Sequence, residues 1–169
     1  MNINKHKLLK QFFKERGYTL ADKYYWIKPV GEDLVARIAL QLSRYGKFYF
    51  TEYSWNVPSS FTFDGQTSYR ISTAVPIINN RRTTQSFDLN SLGIDEDEFV
   101  SELIKTLPFY MKHLESIHEA DDLIKLYHQK MISIMPVGKN LELFGINESE
   151  FFKKTDKEKK DILNFKVYD

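Results

Sequence analysis

The stretch from Asp33 to Trp55, DLVARIALQLSRYGKFYFTEYSW, constrains the fold of this chain more than any other. Two strand-like runs flank Ser43-Arg44-Tyr45-Gly46-Lys47, a tight turn by composition. Leu34, Ala36, Ile38, Leu40 and Leu42 alternate with Val35, Arg37, Ala39 and Gln41, the period of a strand whose two faces meet different surroundings. Phe48, Phe50, Tyr53 and Trp55 mark the return strand. Their spacing slips near Thr51-Glu52, which predicts a bulge.

The rest of the chain can be organised around this hairpin. Ile3, Leu8, Leu9, Phe12 and Phe13 recur at helical spacing over 3–16, with Gly17 as a left-handed stop. The aromatic run Tyr24-Tyr25-Trp26-Ile27 favours a strand, and Pro29 to Asp33 a turn. Residues 57–67 read as a loop or minor hairpin at Asp64-Gly65. Tyr69–Ile78 alternates as a fourth strand, which Pro76 pushes to an edge or ends early. The polar connector Asn79–Asn90 is a candidate mobile segment.

The second half changes character. Asp95 with Glu98 three residues on marks a helix start, and an apolar stripe runs from Val100 to Ile117. Pro108 should kink or split that helix. A further helix follows Asp121-Asp122, carried by Leu123, Ile124, Tyr127 and Met131. Short helices are predicted after Asn147 and Thr155, each with a Glu three residues on. The order predicts a single α+β domain over 1–169: an N-terminal helix, an antiparallel meander of about four strands, then several C-terminal helices packed on one face of the sheet. Residues from about 132 to 169 form a helical C-terminal extension of that domain.

Composition narrows the function. A chain of 169 residues without cysteine has no disulfides and no thiolate chemistry, and lacks the commonest zinc ligands. With neither a signal-peptide-like start nor a long apolar run, a cytoplasmic protein without membrane partners is expected. The net charge of +1 is unevenly spread. Residues 1–60 carry ten Lys/Arg against five Asp/Glu, and residues 91–150 carry five against twelve. Such asymmetry either steers a charged partner or pairs two faces within the fold.

No constellation points to catalysis. His113 and His118 lie five apart, a spacing that turns two rings to different sides of a helix, and His118-Glu119 lacks the second histidine of a metalloprotease motif. No nucleophile elbow or glycine-rich phosphate loop occurs. No catalytic, cofactor-binding or metal-ligating residue is therefore assigned, and no cofactor. Lys23, Lys28, Arg37, Arg44 and Lys47 interleave with Tyr24, Tyr25, Trp26, Tyr45, Phe48 and Tyr49 on adjacent strands, a pattern that suits stacking platforms for single-stranded nucleic acid.

The opening helix ending Arg16-Gly17-Tyr18, the aromatic strand, the Gln41-x-Ser43-x-Tyr45-Gly46 step with Phe48-Tyr49-Phe50 after it, and Leu107-Pro108-Phe109-Tyr110-x-x-x-Leu114 together form a pattern. Over roughly residues 5–130 this pattern resembles the bacterial domain-of-unknown-function family numbered 4304. The family favours a Lys before the Ser, where this chain has Leu42. The resemblance implies a small bacterial α+β protein with no assigned reaction and no catalytic residues to carry over.

These readings converge on a non-enzymatic bacterial binding or interaction protein with a protein partner. One concrete form is an immunity- or antitoxin-like inhibitor whose acidic 95–122 region suits a basic partner. The alternative is a nucleotide or single-stranded nucleic-acid binder using the basic aromatic hairpin. Candidate binding residues are Tyr25, Arg37, Gln41, Ser43, Arg44, Tyr45 and Tyr49 on the strands, with Glu96, Glu98 and Asp121 on the acidic side.

Overall fold

The computed structural model describes residues 3–43 and 48–165. A 3-10 turn at Ile3–Lys5 leads into helix α1 (Lys7–Glu15). Gly17, at φ +77°, lets the chain reverse there, and Tyr18 N–H returns to the Phe13 carbonyl at 3.0 Å. The strand expected from the aromatic run Tyr24 to Ile27 is β2 (Tyr25–Gly31), which continues into the residues expected to turn, and a short β1 (Thr19–Ala21) folds back on it through a turn with Asp22 at φ 59°. Strands β3 (Leu34–Leu42) and β4 (Phe48–Asn56) form the hairpin expected from the sequence. The turn at Arg44 to Lys47 lies outside the described residues.

The β3–β4 register runs unbroken from Val35 opposite Asn56 to Leu42 opposite Tyr49, so the bulge expected at Thr51-Glu52 is absent. Tyr49, Thr51, Tyr53 and Trp55 are the residues of β4 that turn to the core. Phe48 and Phe50 point to the opposite face, and those two outward rings made the alternation look out of phase. The bulge occurs instead in the β2–β3 pairing, between Pro29 and Gly31.

After a 3-10 turn at Pro58–Phe61, β5 (Thr62–Phe63) and β6 (Gln66–Thr67) form the minor hairpin at Asp64-Gly65, both residues at positive φ. The fourth expected strand begins only at Ala74: β7 (Ala74–Ile78). Pro76 lies opposite Ile132, so it neither ends the strand nor marks an edge. The connector read as mobile is built structure. Asn79 and Asn80, at φ 51° and 61°, turn the chain into β8 (Arg81–Arg82), and β9 (Thr84–Asp88) pairs along Phe48 to Glu52 of β4.

The helices α2 (Leu89–Leu92), α3 (Glu96–Leu114) and α4 (Ala120–His128) follow. Asp95 caps α3 by accepting from Glu98 N–H at 2.9 Å. Pro108 does not split α3, which continues to Leu114. Helix α4 ends earlier than its apolar pattern suggests. Lys130 takes φ 59°, and the residues after Met131 become β10 (Ile132–Ile134), paired to β7. Three short helices close the described chain: α5 (Gly138–Leu143), α6 (Glu148–Phe152) and α7 (Asp156–Ile162). Asn147 caps α6, and Thr155 with Glu158 forms a full capping box on α7.

The result is an α+β protein whose antiparallel sheet has 8 strands, not four. Its main path runs β1-β2-β3-β4-β7-β10, with β9 also paired to β4 and β8 to β7. Helices α1 and α3 cover the central strands, burying Leu34, Ala36, Ile38, Leu40, Tyr53 and Trp55 beneath Phe13, Leu107, Met111 and Leu114. The later helices gather around β10 instead: Tyr127 donates to the Ile162 carbonyl and Ser133 to that of Asn164. Leu123, Leu141, Phe144, Phe151 and Leu163 belong to the same core cluster as the central strands. At the N-terminus, buried Asn4 donates to the Leu40 carbonyl at 2.8 Å and accepts from Trp26 Nε1 at 2.7 Å, tying α1 to the sheet.

Candidate binding site

On the sheet face turned away from α1 and α3, Tyr25, Arg37, Gln41, Phe50 and Glu52 project from three adjacent strands. Part of this face is roofed by residues 68–73. Arg37, 3% exposed, fastens that roof. Its Nε donates to the Tyr69 carbonyl at 2.6 Å and its Nη2 to that of Arg70 at 3.1 Å. Nη1 donates to Glu52 Oε1 at 2.6 Å and to Ser54 Oγ at 2.8 Å. The guanidinium carbon stands 4.6 Å from the Tyr25 ring centroid. Asn56 adds a second tie, donating to the Ile71 carbonyl at 2.8 Å.

Beside the roof the face stays open as a cleft of about 360 Å³, with Tyr25, Arg37 and Glu52 among its floor residues and Gln41, Phe50 and Ile71 at its sides. Phe50 and Ile71 are 43% and 40% exposed, unusual for such side chains on a sheet face. The Phe48 ring lies 5.6 Å from that of Phe50. Four of the five guanidinium hydrogens of Arg37 already have acceptors, so the residue serves the architecture of the floor. What the cleft offers a ligand is apolar area, the exposed Gln41 amide, Glu52 Oε2 with the Thr84 hydroxyl 3.5 Å away, and the exposed Arg70. Burial pushes the Tyr25 hydroxyl upward, while Arg37 pulls the other way. The ring therefore stays neutral at ordinary pH and works as a stacking and packing surface.

The structure thus brings together Tyr25, Arg37 and Gln41 of the sequence-derived candidates. Ser43 follows the last residue of β3, its N–H bonded to the Phe48 carbonyl at 2.7 Å. Arg44 and Tyr45 lie outside the described residues. Tyr49 is on the other face, 1% exposed, with its ring against Phe99 and its hydroxyl donating to Glu96. That placement corrects its reading as a surface anchor: β4 turns it into the core, and Glu96 is engaged by the same bond. Glu98 and Asp121 are exposed in the first turns of α3 and α4. The sequence reading missed Phe50, Ile71, Glu52 and Arg70. For Phe50 the signal was present, since a large ring out of phase with the buried residues of its strand must face outward. Ile71 and Arg70 sit in irregular chain, where no period exists to read.

Among the described residues, the basic residues interleaved with rings do not form one platform. Arg37 is buried and its charge is matched by Glu52, while Lys28 projects to the helix side and meets Glu115 at 2.8 Å. Trp26 is buried beside Phe13, with ring centroids 4.4 Å apart. Glu115 holds Lys28, and His118 donates Nδ1 to the Val30 carbonyl at 2.8 Å at the far end of β2. Among the described residues no group of three or more His, Asp or Glu could hold a metal ion. No helix is long and apolar enough to cross a membrane. No protein-family model matches the chain, and comparison with curated proteins and with solved structures finds no match.

Proposed function

We propose that this chain is a non-enzymatic binding protein that engages a protein partner through the open-sheet cleft. The observation that carries the reading is the pairing of exposed Phe50 and Ile71 with a floor whose charges are already satisfied internally. Aromatic and aliphatic side chains held on a rigid sheet supply area at low entropic cost, and a few polar groups at the sides fix register. In its concrete form the protein is an immunity- or antitoxin-like inhibitor that works by covering its target. The exposed acidic residues Asp95, Asp97 and Glu98 at the start of α3 favour approach by a basic partner.

The nucleic-acid reading has less support, because Arg37 and Lys28 point to opposite faces and are both ion-paired. Affinity capture of the tagged protein from its native lysate, at low and high salt, separates the two. The binding-protein reading expects one stoichiometric polypeptide, lost on Phe50→Ala. Nucleic acid recovered at low salt and released at high salt would move the assignment to the alternative. Equal capture by the Phe50→Ala protein would refute the cleft.

A further inference from the structure

Among the described residues strand β9 is paired on one edge alone, to β4, and is the longest strand with a free edge, since β1 and β10 have three residues each against its five. Tyr53 N–H donates to the Thr83 carbonyl at 3.2 Å and the Thr83 hydroxyl to the Tyr53 carbonyl at 2.6 Å, while Thr83 N–H goes to the Pro76 carbonyl, so Thr83 faces Tyr53 in the phase of a bonded position of the ladder. Bonded and non-bonded pairs alternate, so Thr84 and Ser86 turn their backbone N–H and C=O away from β4. Thr84, Gln85 and Ser86 are all exposed. A row of outward backbone groups on such an edge is a template for another strand.

Two adjoining hollows border this edge on its helix side. One, of about 320 Å³, is mainly apolar, with Phe87, Leu92, Phe99, Leu103 and Tyr110 in its walls. The other, of about 420 Å³, is lined by Arg81, Arg82 and Phe109 and shares Gln85 and Tyr110 with the first. Leu92 and Phe109 are 55% and 60% exposed. Arg82 lies over the Phe165 ring at 4.4 Å, and its buried Nε has no hydrogen-bond partner. Burial lowers its affinity for the proton, and the nearby Glu52 carboxylate opposes that effect only in part. Neither Arg81 nor Arg82 is in an ion pair among the described residues.

We infer that the free edge of β9 takes an extended segment of a partner polypeptide, with one bulky apolar side chain in the Leu92–Tyr110 hollow and a carboxylate at the Arg81–Arg82 end. A segment laid along β9 turns alternate side chains to the helix side, where the two hollows receive them. Main-chain bonds to Thr84 and Ser86 supply affinity, and the hollows supply selectivity. This strip borders the Phe50 cleft, with which it shares Thr84 and whose Phe50 stands across from Ser86, but it uses the outer edge of β9 and the helix-side hollows instead of the cleft floor.

The test pans a phage-displayed library of random heptapeptides on the full chain, then measures the dissociation constants of selected synthetic peptides. Enrichment of sequences with a large apolar residue and an Asp or Glu is expected. Ser86→Pro removes the outward N–H from an edge position that tolerates proline, and should weaken binding about tenfold or more. Arg81→Glu should weaken the acidic peptides and be rescued by peptides carrying Lys in place of the acid. Phe50→Ala should leave these affinities unchanged. Should Ser86→Pro unfold, Leu92→Glu, an exposed substitution in the apolar hollow, provides the same readout. No enrichment, peptides bound equally by the Ser86 and Leu92 variants, or peptides lost on Phe50→Ala would overturn the inference.

Discussion

Arg37 and Glu52 meet at 2.6 Å, from adjacent strands, on the one sheet face that neither α1 nor α3 covers. The pair is nearly closed to water, with side chains 3% and 18% exposed, and it also holds residues 69 and 70 across the sheet. Replacing Arg37 by Leu strands the Glu52 carboxylate and releases two backbone carbonyls at once. Urea denaturation should show a loss of about 3–5 kcal/mol, the cost of breaking a buried pair from one side. Substituting both residues with apolar ones of similar size should cost less than Arg37→Leu alone.

Gly31 offers a second test, of how the α3–α4 connection docks on the sheet. A β-carbon there would stand 1.7 Å from the His118 carbonyl oxygen, a backbone atom that cannot swing aside. His118 also bonds the neighbouring Val30 carbonyl. Gly31→Ala should lower Tm by roughly 3–10 °C, reflecting overpacking against fixed backbone. Gly138→Ala should have little effect, since its β-carbon would meet only the Glu148 carboxylate at 3.6 Å.

His113 links stability to pH. Burial lowers its pKa, and its ring lies 5.7 Å from that of Trp55. A histidine held neutral in the folded state binds its proton more readily when unfolded, so the folded state loses stability as pH falls through the unfolded value near 6.5. That loss is complete once pH is below the depressed folded value. The fall in Tm from pH 7.5 to pH 5 should be smaller for His113→Gln than for the parent chain. An identical fall would show that His113 plays no part.

The parts of this fold legible in the sequence are those where one physical signal dominates. Gly17 can take φ +77° at no steric cost, and Asp95, Asn147 and Thr155 cap helices as their side chains allow. Strand β3 was legible from its apolar period, although it is buried on both faces from Leu34 to Leu40, beneath the helices on one side and beside residues 68–73 on the other. What was hidden depended on distant chain. Ile132 to Ile134 extends an apolar helical pattern, and only the availability of β7 as a partner makes it a strand. In β9 only Thr84 and Phe87 favour a strand, and Gln85, Ser86 and Asp88 are held in it by the open side of β4. For the site, Arg37 and Tyr25 could be chosen by type, whereas their burial and the crossing of Ile71 above the sheet arise from tertiary packing alone.

The central claim is that the cleft beside Phe50 is where a partner polypeptide sits. A photo-crosslinking amino acid at position 50, with a matched control at position 8, tests it most directly, because Leu8 is 54% exposed on α1 and faces away from the cleft. Irradiation in native lysate should join one polypeptide to the chain labelled at position 50 and none to that labelled at position 8. Equal products from both positions, or none from position 50, would contradict the account.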